Sequence, residues 1–442
     1  MLRWVLGCVF LAAYGLSALS QPDVWDALFL GAGGVLYLMS VPWASTFHRG
    51  FAAVAAVALG VAVVSGNFDA GGFAAELPTY LGIVAVLLVL SIAGYPIRAV
   101  RYQEQIRVLL AALRRRGVAT GSTAGGLGHL LGLVLDIGSL VLIDVVTRRA
   151  APAARTDSLV WAARGFAFAP LWSNLNMLTV ITITLTGLSY PGLVAAAAPF
   201  VVPGLLALLL VAQRYKGPDS NPPETSLDRG AAAVLAYPAL LVVAVAAVSY
   251  LLPGTPLITV ILGTVAVIVA GIALLATVAS RQASPVRRLA LETRYTLVGS
   301  NAEFALFGSA GIFVVSLTQL GALAPIGSLF AALDGALPVA VALFLAISLG
   351  FMFGIHSIPM VLLVNAAFPL DQAPAPELWT LAILLGNGTG MLLTPFSSTT
   401  AMLSRLTALH PLEVGLGRNW RFGLVFATAG LAYLTLLWWL LS

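Results

Sequence analysis

Apolar residues in this chain run in blocks of about twenty, rather than in the spaced stripes of helices that lie on a soluble core. The blocks lie near 2–20, 27–43, 51–66, 78–95, 158–188, 190–212, 231–252, 256–279, 300–319, 377–404 and 420–441. A helix needs about 20 apolar residues to cross the hydrocarbon core of a bilayer, so these blocks predict about eleven transmembrane helices. Two further apolar stretches, 122–147 and 338–366, are broken by small and polar residues. Gly125, Gly126, Gly128, His129 and Gly132 interrupt the first; Gly350, Gly354, His356, Ser357 and Pro359 interrupt the second. Both read as re-entrant hairpins. Such backbone is tolerated at membrane depth only when it is buried in protein or lines a cavity.

Composition turns that pattern into a class. Of 442 residues, 60% are hydrophobic and only 9% charged, and the mean hydropathy is +1.00. A soluble domain carries about a quarter charged residues, and a disordered chain is poor in apolar ones. What remains is an all-α polytopic membrane protein. Cys8 is the single cysteine, which excludes a disulfide framework and a cysteine-based metal site. His48, His129, His356 and His410 are dispersed, with no spacing that suits zinc or iron.

The positive charges fix the expected orientation. Lys and Arg number 22, and Lys216 is the one lysine. They fall in short loops between apolar runs, where charge orients membrane helices, not on the basic, aromatic-studded face of a nucleic-acid binder. Nucleic acid is therefore not an expected partner; the bilayer is. With both hairpins re-entrant, the basic residues gather on one side and Asp23, Asp26, Asp69, Glu76, Asp334, Asp371 and Glu377 lie on the other. The expectation is a multi-pass protein of a bacterial inner membrane, N-terminus cytoplasmic and C-terminus outside. Residues 1–20, with Arg3, an apolar core and Ala18-Leu19-Ser20, also have the form of a cleavable signal peptide. Residues 97–117 alternate apolar and basic positions at helical spacing, which suits an interfacial helix. Residues 213–230, with Pro218, Pro222 and Pro223, read as a cytoplasmic linker.

The chain also repeats itself. The segment from Gly165 through Pro170, Ser173 and Met177 to Leu178 recurs from Gly390 through Pro395, Ser398 and Met402 to Leu403, 225 residues later. At an offset of 227, His129 falls on His356 and Ala75-Glu76 on Ala302-Glu303. The expected organisation is an extra N-terminal helix (1–26), a first repeat (27–212, hairpin 122–147, broken span 158–188), the linker, and a second repeat (231–442, hairpin 338–366, broken span 377–404). Five spans per repeat is an odd number, so the repeats lie in opposite orientations. Inverted repeats with interrupted helices characterise secondary transporters.

The order within each repeat is two spans, a third span, a re-entrant hairpin, a span broken around Ser, Asn and Thr, and a last span. This layout resembles the ion-transporter superfamily, which includes divalent anion/sodium symporters, citrate symporters and arsenite exporters. The resemblance implies a scaffold and a transport domain, a homodimer, elevator-like movement, and substrate contacts from hairpin tips and broken spans. The chain departs from the dicarboxylate branch, because no Ser-Asn-Thr signature occurs in the hairpins. Ser173-Asn174 and Ser398-Thr399-Thr400 sit in the broken spans instead.

Candidate site residues follow from the breaks. Pro170 and Pro395 remove a backbone donor and distort a helix, freeing nearby carbonyls. Ser173, Asn174 and Asn176 follow the first, and Ser398, Thr399 and Thr400 the second. Half-helix N-termini attract anions and freed carbonyls suit cations, so these residues are expected to contact a solute, with a sodium site near Ser173, Asn174 and Thr399. His129, His356 and Ser357 lie in the hairpins as proton-relay or solute-binding candidates. Intramembrane carboxylates default to function; Asp136 is the candidate coupling residue, whereas Asp144 is expected to pair with Arg148 or Arg149. Arg164 is a candidate clamp for an anion, and Asn387 a further polar lining position. No phosphate loop, zinc-ligand helix or Ser/His/Asp set marks an enzyme. The sequence thus predicts a gradient-driven transporter of a small anionic solute, with no cofactor beyond a possible sodium ion. A cation/proton antiporter using Asp136, and an intramembrane enzyme acting on a lipid-linked substrate, are the alternatives.

Overall fold

The computed structural model describes residues 1–17, 23–94, 96, 100–148, 150–215, 235–252, 254–280 and 284–442. In chain order the helices are α1 (Leu2–Ser17), α2 (Asp23–Ser40), α3 (Thr46–Val64), α4 (Ala70–Ala93), α5 (Val100–Arg115), α6 (Thr120–Leu135) and α7 (Gly138–Thr147). Next come α8 (Pro152–Phe166), α9 (Met177–Thr186), α10 (Tyr190–Ala212), α11 (Ala236–Leu251), α12 (Leu257–Ser280) and α13 (Ser284–Gly299). The last are α14 (Asn301–Gln319), α15 (Ala324–Ala331), α16 (Ala336–Met352), α17 (Ser357–Ala367), α18 (Pro376–Leu393), α19 (Ser398–Thr407) and α20 (Asn419–Leu441). No strand occurs among the described residues.

Among the described residues, eight helical segments are long and apolar enough to cross a membrane. The chain is an all-α polytopic membrane protein. Those eight segments fall on eight of the expected apolar runs; the others fall on α1, α11 and the interrupted pair α8 and α9. Helices α1 and α11 have 16 residues each, about 24 Å at 1.5 Å per residue, which is short of the hydrocarbon thickness of about 30 Å. Helix α5 occupies the stretch expected to be interfacial, and its Arg107 donates to Glu104 at 2.8 Å and to the Val145 carbonyl at 3.1 Å. Most of the expected linker, from 216 onward, lies outside the described residues, as do 97–99 and Arg149.

One compact unit comprises Met1–Tyr95, Gly254–Ala332 and Leu362–Pro369. Its centre is α14, which packs against α2, α3 and α4. Phe10 stacks on Phe29 at 4.8 Å and meets Phe304 edge-on at 5.2 Å, the geometries that the aromatic quadrupole favours. The hydroxyls of Tyr37 and Ser309 lie 3.2 Å apart. At the far end of α14, the Gln319 amide donates to the Asp69 carbonyl and accepts from the Asp69 amide, while the Asp69 carboxylate caps α4 through Gly71 N at 2.9 Å.

The second unit comprises Pro96–Pro253, Leu333–Val361 and Leu370–Ser442. Within it α6 packs along α8, and α16 packs along α18. The first pair is in backbone contact: a Cβ on Gly128 would strike the Ala162 carbonyl, and one on Gly165 would strike the Gly125 carbonyl. Only residues without side chains allow so close a crossing. Near the end of α7, Asp144 is 1% exposed. It pairs with Arg155, whose Nε donates at 2.6 Å, and with Arg148 at 3.5 Å.

Candidate functional site

Both broken spans lie in the second unit, and each break is built by the side chains around it. Helix α8 stops at Phe166, a 3-10 turn covers Ala169–Leu171, and α9 restarts at Met177. Pro170 sits in that turn, where it has no N–H to continue the helical ladder. The backbone groups left over find side chains instead. Ser173 Oγ donates to the Leu133 carbonyl of α6 at 2.7 Å and accepts from Leu175 N at 3.1 Å. Asn176 caps α9 by accepting from Thr179 N at 3.3 Å, and Thr179 Oγ1 donates to the Pro170 carbonyl across the break.

The second break repeats these bonds with different residues. Thr394 Oγ1 donates to the Phe351 carbonyl of α16 at 2.9 Å and accepts from Phe396 N at 3.1 Å. Ser397 caps α19 by accepting from Thr400 N at 3.0 Å, and Thr400 Oγ1 lies 3.5 Å from the Met391 carbonyl. Each role recurs 221 positions later: Pro170 with Met391, Ser173 with Thr394, Asn176 with Ser397, Thr179 with Thr400. The sequence register of 225 is therefore four residues, about one helical turn, from the register of the bonds. In the bonding register Ser173 answers to Thr394, not Ser398, and Pro395 has no proline partner. Identity matching misses this because Ser and Thr, or Asn and Ser, do the same work.

The hairpins follow suit. Helix α6 ends at Asp136 with φ of 51°, and α16 is followed by Gly354 with φ of 77°. These positions lie 218 apart, as do the acceptors Leu133 and Phe351. That register sets His129 level with Ile347, so the proposed pairing of His129 with His356 is not the structural one. His356 Nδ1 accepts from Ile358 N at 3.4 Å, at the start of α17. Ser357 is buried in the first turn of that helix.

The two breaks meet. Phe166, Ala167 and Ala169 of the first form one buried cluster with Met391 and Leu392 of the second. Helix α9 lies along α18 and α19 lies along α8, so the broken spans run antiparallel. The hydroxyls of Thr186 and Thr380 are 2.7 Å apart at one end of this contact.

Around the first break several buried polar atoms lack a protein partner: His129 Nδ1, Trp172 Nε1 and Asn174 Oδ1. The rings of His129 and Trp172 lie 5.8 Å apart. Asn174 Nδ2 donates to the Val242 carbonyl at 2.9 Å, and Tyr190 OH to the Trp172 carbonyl at 3.0 Å. Buried polar groups are normally satisfied, and these three atoms belong to the first break and to α6 packed beside it. Asn176 Nδ2 donates to Asp136 Oδ1 at 3.3 Å, and Asp136 is exposed. Thr399 and Thr400 are buried and Ser398 exposed. On α18, Asn387 is 7% exposed and Thr389 Oγ1 is another buried atom without a partner. Sequence pattern alone does not single out Trp172, Thr179, Tyr190, Thr394 or Ser397; Tyr190, Thr394 and Ser397 sit within one turn of a proline, which was the available signal, whereas Thr179 lies nine residues beyond Pro170.

Arg164 stands apart from the breaks. Its Nε donates to Asn419 Oδ1 at 3.1 Å and its Nη2 to the Arg418 carbonyl at 2.6 Å. The guanidinium stacks over Trp161 at 4.5 Å. Among the described residues, no three His, Cys, Asp or Glu converge as metal ligands.

The fold and the break geometry define a helical membrane protein with two crossed, interrupted helices in one unit. The chain is similar in fold to the crystal structure of the YdaH transporter from Alcanivorax borkumensis, described as having an unusual topology. The match covers 88% of this chain and 97% of that one, at 17% identity and a TM-score of 0.53. No protein-family profile matches the chain, and no curated protein matches it.

Proposed function

We propose that this protein is a secondary active transporter that moves a small anionic solute, such as a carboxylate, sulfonate or oxyanion, across a bacterial inner membrane by alternating access. The observation that carries the reading is the pair of broken spans, antiparallel and held by the same hydrogen bonds 221 residues apart. Interrupted helices of two related halves, crossing in the middle, supply half-helix N-termini for an anion and freed carbonyls for a cation. Fold similarity to a transporter over 88% of the chain supports the same reading. Coupling is to protons or sodium. Asp136, accessible and bonded to Asn176, is the residue assigned to it; the orphaned Asn174 Oδ1 is the oxygen a sodium ion would take. The movement is elevator-like and the assembly a homodimer, with the N-terminus cytoplasmic.

Purified protein in liposomes tests this directly. Uptake of labelled carboxylates, sulfonates and oxyanions is measured under an imposed proton or sodium gradient. Gradient-dependent accumulation of one solute is the expected result; counterflow of none of them, with either ion, overturns the reading. The antiporter alternative draws on the same Asp136. It predicts sodium movement against a trapped pH dye with no solute present.

A further inference from the structure

A groove of about 750 Å³ opens between α10 and α20, floored by α8 and the residues after it. Its size is that of a small-molecule site, but its lining is divided in an unusual way. Three guanidiniums, Arg164, Arg418 and Arg421, stand at one end. Beyond them Phe168, Phe200 and Phe426 form a continuous aromatic wall, with Phe426 5.2 Å from Phe168 and 5.7 Å from Phe200. One end is cationic and the rest is apolar.

The helix itself gives the position of this groove in the bilayer. Trp420 stands at the start of α20 and Trp438 near its end, both exposed. Tryptophans at such positions mark the two membrane interfaces. Eighteen residues separate them, about 27 Å of helix, against a hydrocarbon core of about 30 Å. Arg418 and Arg421 flank Trp420 and so lie at headgroup level. Their face of the helix continues through Phe422, Val425 and Phe426 to Ala429, all of which line the groove. From Arg418 to Ala429 is about 16 Å, half the hydrocarbon thickness. The groove thus runs from the interface to the middle of the bilayer, the reach of one acyl chain in one leaflet.

Charge bookkeeping selects the headgroup. Arg418 is bonded to Asp157 at 3.1 Å and to Glu413 at 3.5 Å. The other Asp157 oxygen accepts from Tyr215 OH at 2.5 Å. Burial and that bond push the Tyr215 hydroxyl up to about 12, so it remains a donor and keeps Asp157 engaged. Arg421 is exposed, stacks on Trp420 at 5.2 Å, and pairs with no carboxylate among the described residues. Three cations against two anions leave a net positive mouth on an apolar trough, which complements an anionic amphiphile. We infer that this groove binds an anionic phospholipid, with its phosphate on Arg421 and the neighbouring guanidiniums and one acyl chain along the phenylalanine wall.

Native mass spectrometry of the detergent-purified protein titrated with dioleoyl-phosphatidylglycerol or dioleoyl-phosphatidylcholine tests the inference. The expected result is a retained phosphatidylglycerol adduct and a weaker phosphatidylcholine one. Arg421→Gln should weaken phosphatidylglycerol binding about fivefold, the usual effect of one basic side chain at an anionic membrane surface. Ala207→Trp, on the exposed side of the groove, should reduce it comparably by filling the trough without disturbing the core. Arg287→Gln, an exposed arginine elsewhere, should leave it unchanged. Equal retention of the two lipids overturns the proposal, as does binding indifferent to Ala207→Trp. Displacement of the lipid by inorganic phosphate at millimolar concentration would assign the arginines to a soluble anion instead. None of these readouts depends on transport.

Discussion

Asn176 Nδ2 lies 3.3 Å from Asp136 Oδ1, so the residue that caps the second half of a broken span also holds the carboxylate at the end of α6. A movement of either element changes the environment of that acid. Asp136→Asn preserves size and removes the charge. In liposomes it should lower gradient-driven accumulation about tenfold, within the usual range of coupling free energies, while solute counterflow persists. Equal loss of both would make Asp136 structural.

The carbonyls freed at the two breaks are satisfied differently, and the threonines that reach them should contribute differently. Thr179→Val removes a donor from the buried Pro170 carbonyl and should cost about 1–3 kcal/mol. Thr400→Val removes a 3.5 Å contact to the Met391 carbonyl and an acceptor for Ser397 Oγ at 3.0 Å, but leaves that carbonyl its 2.8 Å donor, Ser397 Oγ, and should cost less. Thermal unfolding in detergent, followed by circular dichroism, gives the order.

Gly128 and Gly165 make the crossing of α6 and α8 possible. Gly128→Val or Gly165→Val should abolish a monodisperse elution profile, since carbonyls of the facing helix occupy the space. Gly126→Ala is the control, because the nearest atom there, Leu209 Cδ2, is 3.8 Å away.

Asp144 supplies a contrast between two arginines. Arg155 has 30% of its side chain exposed and Arg148 has 66%, while Asp144 has 2%. Arg155→Ala should destabilise by about 3 kcal/mol, because it strips the main partner from a buried charge. Arg148→Ala should cost less than about 1 kcal/mol. Melting temperatures of the two variants decide it.

Several parts of this molecule were legible in its residues. Apolar blocks of span length have one physical solution, a helix in lipid, so among the described residues each expected run falls on helix, interrupted only at the break in 158–188 and the one in 377–404. The breaks at Pro170 and Pro395 were legible from proline and polar residues together: Pro78 is carried inside α4, and Pro199 and Pro203 inside α10, where no Ser, Asn or Thr cluster follows to take up the freed backbone groups. Of the two arginines that sequence proximity offers Asp144, Arg148 does pair with it and Arg149 lies outside the described residues, but Arg155, eleven residues away, is the closer partner. Arg164 was read as a clamp near the breaks, yet it reaches residues 418 and 419, more than 250 positions on.

What the sequence determined by itself, then, was the solvent: hydrocarbon, helices that satisfy their own backbones, and the places where they cannot. The tertiary structure decided which residues do the same job in the two breaks, and that register is 221, not 225. Hydrogen bonds select by position and by the presence of an oxygen, whereas sequence matching selects by residue identity. The antiparallel crossing of the breaks and the arginine-headed groove were decided the same way, by chain segments hundreds of residues apart.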